Sequence, residues 1–188
     1  MAAGFSRLVP YKYYFLLVFF IWILDRATKW LVKKNFELGE SVSVIGNFFL
    51  LTYVENRGGA FGIQLGGSTF YFIASIVVIL YILFYLYQHP EDGKLSRFSL
   101  SLILGGAFGN LYDRALYGSV TDFFDFEFLD VPPFHLGPAH FSGMERWPVF
   151  NIADSAVTVG IVLLLSASLF SKKDLPSPAA AADADAKL

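Results

Sequence analysis

The sequence predicts an all-α polytopic membrane protein, with four transmembrane helices and a small β-hairpin between the first two. Three observations carry this reading. Of 188 residues, 55% are hydrophobic and 16% charged, and mean hydropathy is positive, too apolar for an ordinary soluble domain. Four apolar runs reach spanning length, at about 11–31, 68–87, 96–113 and 151–171. Aromatic residues are abundant, with 21 Phe, 10 Tyr and 3 Trp, a mix that suits lipid-facing helices and interfacial belts. A net charge of −2 argues against nucleic acid as a partner, and the absence of Cys excludes disulfides, Cys-ligated metal and thiol nucleophiles.

The first run, Tyr13 to Leu24, becomes long enough to span if Lys12 snorkels at one end and Asp25 to Trp30 form the other. A signal peptide is the alternative, but Asp25, Arg26 and Lys29 stand where a small-residue cleavage site belongs. Asp25 and Lys29 are four apart and share a helical face, so a helix-end ion pair would explain both without any further role. From Lys33 to Leu65 the period changes. Beta-branched and aromatic residues in Ser41–Ile45 and Phe48–Val54 flank Gly46-Asn47, which predicts a hairpin lying on the membrane surface. It ends in Asn56-Arg57-Gly58-Gly59-Ala60-Phe61-Gly62, where glycines permit close approach to a ligand or simply a flexible loop.

Ser68 to Tyr87 is uncharged and forms the second span, and Pro90 and Gly93 stop it in a polar connection where His89 reads as a loop residue. The third run carries Gly105, Gly106 and Gly109, a nearly bare face with small-xxx-small spacing that lets another helix approach closely. Asn110, Asp113 and Arg114 follow on one face, about a turn further on. Between Asp122 and Asp154 the segment is aromatic, acidic and rich in Pro, and predicts an irregular surface element. Asp122, Asp125, Glu127 and Asp130 lack the ordered spacing of a calcium loop, and His135 and His140 read as interfacial residues rather than zinc ligands. Asn151 is positioned as the N-cap of the fourth span, with Asp154 at N3. Residues 1–171 form a single membrane-embedded domain on this reading, and the low-complexity tail 172–188 is disordered.

Four spans place both termini on one side. Helix 1 then ends, helix 2 begins, helix 3 ends and helix 4 begins on the opposite face, where Asp25 with Lys29, Asn56, Asn110 to Asp122, and Asn151 with Asp154 converge. Charge bias does not orient the bundle, because the 14 Lys and Arg divide seven to seven between the two sides. GxSxG, HExxH and phosphate-loop motifs are absent, and His140-Phe141-Ser142 is weak evidence for serine hydrolysis. Carboxylates remain. Two Asp held close in a low-dielectric setting cannot both ionise easily, so one activates water while the protonated one polarises a carbonyl. Asp122 and Asp154 are the best pair, with Asn110 and Asn151 as orienting donors; Asp113 competes, unless Arg114 holds it in an ion pair.

Five motifs occur in order: Asp25-x-x-Thr28-Lys29; Asn56-x-Gly58-x-Ala60-Phe61; Gly105-Gly106-x-x-Gly109-Asn110-x-x-Asp113-Arg114; Val120-x-Asp122-Phe123; and Phe150-Asn151-x-Ala153-Asp154. In these the chain resembles the bacterial lipoprotein signal peptidases, or signal peptidase II, from about Lys12 to Phe170. The resemblance implies an aspartyl endopeptidase of the bacterial inner membrane, with cytoplasmic termini and a site near the periplasmic face. It would cleave diacylglyceryl-prolipoprotein substrates just before the lipid-modified Cys, among membrane lipids, with no metal or organic cofactor implied. A monomer is the expectation. Asp122 and Asp154 would be catalytic; Asp25, Lys29, Asn56, Gly106, Asn110, Arg114 and Asn151 would shape the site; the hairpin would be a periplasmic cradle. The 126–148 segment is longer than the family's usual connection, and Phe134, Phe141 and Trp147 are expected near the opening. A non-catalytic subunit using intramembrane Asp residues, or a metal-dependent enzyme acting on lipid phosphates, are the rival readings.

Overall fold

The computed structural model describes residues 12–59, 67–128, 132, 134–136, 139–141 and 145–170. Helix α1 (Lys12–Asn35) leads into strands β1 (Ser41–Ile45) and β2 (Phe49–Asn56), then α2 (Gly67–Gln88) and α3 (Lys94–Tyr117). Strand β3 (Val120–Phe126), the short pair β4 (Phe134–Leu136) and β5 (Ala139–Phe141), and α4 (Ile152–Phe170) complete the order. The tail 172–188, residues 60–66 and the side chains of Phe134, His135, His140 and Phe141 lie outside the described residues.

Helix α3 is the centre of the bundle and packs against α1, α2 and α4. Its bare face makes this possible. A Cβ at Gly106 would lie 2.3 Å from the Ala153 carbonyl oxygen, and one at Gly109 would lie 2.6 Å from an Asp25 carboxylate oxygen, so only glycine lets α1 and α4 approach α3 this closely. The helix then stops at Gly118, whose φ of +68° suits glycine and whose N–H donates to the Arg114 carbonyl at 3.2 Å.

Burial is inverted relative to a water-soluble protein. Asp25, Lys29, Ser99, Ser101, Asp113, Asp122 and Asn151 are buried, whereas Phe19, Phe20, Ile73, Leu80, Phe84, Val162 and Leu165 are exposed. Apolar side chains directed outward need an apolar surrounding. Helices α2 and α4 are long and apolar enough to cross a membrane. Helices α1 and α3, each of 24 residues, carry charges inward at one end. Ile79, Ile82, Leu100, Ile103 and Leu104 form an apolar cluster within the bundle.

The predicted hairpin forms, with β1 antiparallel to β2, and gains a partner that sequence reading did not foresee. Strand β3 pairs antiparallel with β2, giving the order β1-β2-β3 and setting Asp122 opposite Val54 and Thr121 opposite Glu55. The start of the supposed irregular segment is therefore a strand, because Val120–Phe126 precedes the prolines and finds an open β2 edge. Asp122 is thus presented by a sheet and Asp154 by a helix.

Gly106→Ala is expected to destabilise the bundle by about 1–3 kcal/mol, as overpacking against an immovable carbonyl does. Gly93→Ala, with nothing within 4 Å of the added methyl, is the control. Thermal unfolding of both in detergent, scored against the parent, checks this.

Candidate functional site

Four charges anchor the site. The Lys29 ammonium lies 2.9 Å from Asp25 Oδ2, 2.8 Å from Asp113 Oδ2 and 2.9 Å from Asn110 Oδ1, which uses all three of its donors. Arg26 also reaches both carboxylates, at 2.9 Å from Asp25 Oδ2 and in a short contact with Asp113 Oδ1. Two cations thus answer two buried anions. The predicted pair of Asp25 with Lys29 exists but is half of a larger cluster, and Asp113 is held by Lys29 and Arg26 rather than by Arg114. The sequence marks Arg26 only as a charge that argues against a cleavage site; its place one residue after Asp25, at the same polar helix end, is the signal that could have added it to the cluster.

The N-terminus of α4 is bonded into this cluster. Asp25 Oδ1 accepts the Ala153 N–H at 3.1 Å, and Asn151 Oδ1 accepts the Asp154 N–H at 2.9 Å. Asp154 Oδ2 in return accepts the Asn151 N–H at 3.3 Å, which completes a reciprocal cap. Capping is therefore real. It also aims the Asp154 carboxylate, whose Oδ1 accepts from Asn110 Nδ2 at 2.8 Å.

Asn151 joins the two carboxylates. Its Nδ2 donates to Asp122 Oδ1 at 2.6 Å while its backbone and side-chain oxygen hold Asp154. Asn56 Nδ2 donates to the other Asp122 oxygen, Oδ2, at 2.9 Å, and Asn56 Oδ1 accepts the Gly58 N–H at 2.8 Å. Burial first, and then the nearby charge of Asp154, push the Asp122 carboxyl from 3.8 up to about 7, against the opposing pull of Asn56, Asn151 and Lys29. Both carboxyl groups line a cavity of about 610 Å³ whose far wall is the apolar face of α4 around Val157 and Ile161.

The predicted residues divide by role. Asp25, Lys29, Asn56, Asn110, Asn151, Asp122 and Asp154 form one hydrogen-bonded network, and Gly106 admits Ala153 beside it. Arg114 stands apart from the direct network. Its guanidinium donates to the Gly58 carbonyl at 3.0 Å and lies over the Tyr71 ring, so it ties the end of β2 to α3. Glu55 is a residue that sequence reading missed. Burial opposes its charge, but bonds from Ser119 and Tyr53 and the Lys33 ammonium prevail, lowering its carboxyl below the usual range and fastening β2 to α1 and β3. Asp125 and Glu127, weighed as calcium ligands, are paired with Arg146 instead. Among the described residues, His89, Glu91 and Asp92 are grouped closely enough to hold a metal, but they sit on the α2–α3 connection, away from Asp122 and Asp154.

The sequence profile described as Signal peptidase (SPase) II matches residues 17–170. The chain belongs to the signal peptidase II family. It is 39% identical over 161 residues to the lipoprotein signal peptidase of Bacillus pumilus (strain SAFR-032), covering 86% of this chain and 95% of that protein. It is also 39% identical over 173 residues to the lipoprotein signal peptidase of Francisella tularensis subsp. novicida (strain U112), covering 89% and 98%. A bacterial membrane enzyme structure solved by the in meso method at 2.3 Å resolution superposes with a TM-score of 0.69 at 32% identity, over 86% of this chain and 92% of that one. A second, at 1.9 Å resolution, gives 0.66 at 32% identity, over 85% and 94%. This signal peptidase II homologue is accordingly a peptidase and a bacterial membrane protein.

Lys29→Met would leave Asp25 and Asp113 sharing Arg26 alone, an uncompensated buried charge that costs about 3–5 kcal/mol. The expected result is a large loss of thermal stability in detergent, accompanied by loss of activity. An unchanged midpoint would show that the charge cluster does not hold the bundle together.

Proposed function

We propose that this signal peptidase II homologue crosses the membrane four times and is an aspartyl endopeptidase, in which Asp122 and Asp154 are catalytic. It removes the signal peptide from diacylglyceryl-modified prolipoproteins, cutting just before the lipid-modified Cys. The carrying observation is the placing of both carboxyl groups on one open cavity with Asn151 bonded to each. The names of the two relatives support the substrate class.

A four-span arrangement in the bacterial inner membrane suits the inverted burial. Helices α1 and α3, at ~1.5 Å per residue, are each about 36 Å long against a hydrocarbon core of about 30 Å. Their buried charges, Asp25, Lys29 and Asp113, gather at one end. Cytoplasmic termini put that end at the periplasmic side, where a secreted substrate presents its cleavage point and where the β1-β2-β3 sheet lies as a cradle.

At neutral pH the pair keeps one proton, because burial and mutual repulsion oppose ionising both. The ionised carboxylate takes a proton from water as the water oxygen attacks the scissile carbonyl, and the protonated carboxyl gives its proton to the carbonyl oxygen. Collapse of the tetrahedral diol breaks the C–N bond: the released amine of the lipid-modified Cys takes a proton from one carboxyl while the other carboxylate takes one from a diol hydroxyl, which returns the pair to its one-proton state. Asn151 fixes the spacing of the two groups. Lys29, donating to Asn110 Oδ1, polarises the amide whose Nδ2 faces Asp154, so the buried charge cluster reaches the reacting groups through one side chain.

Asp122→Asn and Asp154→Asn should each lower kcat/KM on a diacylglyceryl-modified prolipoprotein by roughly 10²–10⁴-fold, the usual contribution of a positioned acid or base. The folded variants and a parallel assay with chelator complete the experiment. Chelator-sensitive cleavage, or full activity in either variant, would overturn the aspartyl reading.

The pH profile supplies a signed test. Asp122 gives up its proton as pH rises through about 7, so with Asp122 as the proton donor of the pair kcat/KM should fall above that value and also at acid pH, where the second carboxylate is protonated. Asn56→Ala removes a donor that favours ionised Asp122, so it should move the alkaline limb to higher pH. A shift to lower pH would contradict the assignment.

A further inference from the structure

Two cavities meet at Asp122. The first, of about 610 Å³, runs along the apolar face of α4. The second, of about 630 Å³, is bordered by Glu55, Asn56, Arg57 and Gly58 and is the more polar of the two. Asn56, Asp122, Pro148 and Val149 border both, so the hydrogen-bonded pair of Asn56 with Asp122 faces Pro148-Val149 across the neck between the two halves.

The Pro148-Val149 side of that neck is an arch pinned at both ends. On one side the Trp147 N–H donates to the Phe126 carbonyl at 2.9 Å, and on the other Phe150 exchanges hydrogen bonds with Phe124, at 3.1 Å and 2.7 Å. Pro148 lacks an N–H and cannot extend this pairing, so the two residues between the pins stand off β3. Trp147 meets the Phe128 ring edge-on at 6.1 Å and lines the apolar half.

Arg146 locks the arch in place. Its Nε donates to Asp125 Oδ1 at 2.7 Å and its Nη2 to the Asp125 carbonyl at 3.2 Å. Its Nη1 donates to Glu127 Oε2 at 2.7 Å and to the Asn47 carbonyl at the hairpin turn at 2.9 Å. Asp125 is itself fixed by Thr52 of β2, at 2.6 Å. One guanidinium therefore joins the β1–β2 turn, β3 and the returning chain, a geometry that its planar fork suits and a lysine meets only in part.

Building on the peptidase reading above, we propose that Trp147–Val149 is the specificity wall of the cleft and that Arg146 is its positioning residue. The apolar half along α4 takes the apolar part of the signal peptide preceding the scissile bond, and the polar half takes the polypeptide that follows it. The wall limits the size of the side chains that can sit just before that bond.

The experiment compares the wild type with Arg146→Gln, Arg146→Lys and Trp147→Ala in detergent. The probes are synthetic diacylglyceryl-modified signal peptides carrying either Ala or Phe next to the scissile bond on its signal-peptide side. Arg146→Gln should raise KM by about tenfold, the scale of a lost charge-assisted contact, with kcat held within about twofold and the alkaline limb unmoved. Arg146→Lys should recover part of the loss. Trp147→Ala, which keeps the Arg146 contacts, should reduce the preference for the Ala peptide over the Phe peptide, and it decides the matter if Arg146→Gln does not fold. Unchanged KM and unchanged discrimination, or a fall in kcat at constant KM, would overturn the inference. Asp122→Asn run in parallel separates the two readings: a cleaving wild type, a silent Asp122→Asn and indifferent wall variants leave the aspartyl reading standing and remove this one.

Discussion

The Lys29 ammonium is a full positive charge inside a bundle whose outer surface is apolar, and the arrangement around it follows from the cost of leaving such a charge unanswered. A buried cation without partners is several kcal/mol unfavourable, so its three donors must be met by acceptors brought from distant parts of the chain. Asp25 comes from the same helix, Asp113 and Asn110 from α3. Meeting them requires α1 and α3 to lie in contact, and Gly105 and Gly109 on α3 leave the room. Arg26 supplies the second positive charge that balances the two carboxylates.

The same network places the candidate dyad. Asp25 has one oxygen left after its cations are served, and it accepts the Ala153 N–H at the start of α4. Asn110 has its amide nitrogen left after accepting from Lys29, and it donates to Asp154. A helix N-terminus, which carries unpaired donors and a partial positive charge, is thus fixed against the polar cluster by hydrogen bonds at two points. Stability and positioning are carried by the same groups. An Asn that caps a helix and an Asn that holds two carboxyl groups in register are, at position 151, one residue, so the structural and chemical readings of the motif do not compete.

The sheet answers a different requirement. Asp122 must be held rigidly without burying an unpaired strand edge, and β3 achieves this by pairing with β2 on one side and with the chain near Phe150 on the other. Strand β2 meanwhile ends in Asn56, whose side chain bonds Asp122, and Arg114 fastens the following turn to α3. The hairpin is therefore part of the site as well as a surface beside it. Helix α4 presents one carboxylate and the sheet the other, so their relative position depends on how those two units are fixed together.

The helical segments, the hairpin and the polar residues that gather at one end are legible in the chain alone. Those features are local or topological: apolar run length decides where helices form, turn residues decide where strands reverse, and an antiparallel order brings alternate helix ends together. The Asn151 cap and the bare face of Gly105, Gly106 and Gly109 were legible for the same reason, since spacing along one helix is enough to read them. Which charge answers which is settled by packing. Spacing suggested Arg114 for Asp113, yet Arg26 and Lys29 hold it, because the close approach of α1 to α3 brings those cations in while Arg114 turns to Gly58. Packing also decides that β3 is a strand, and that Arg146 joins Asn47 to Asp125 across most of the chain. Strand partners and buried ion pairs are chosen by what lies opposite in space, and that is set only when the whole bundle closes.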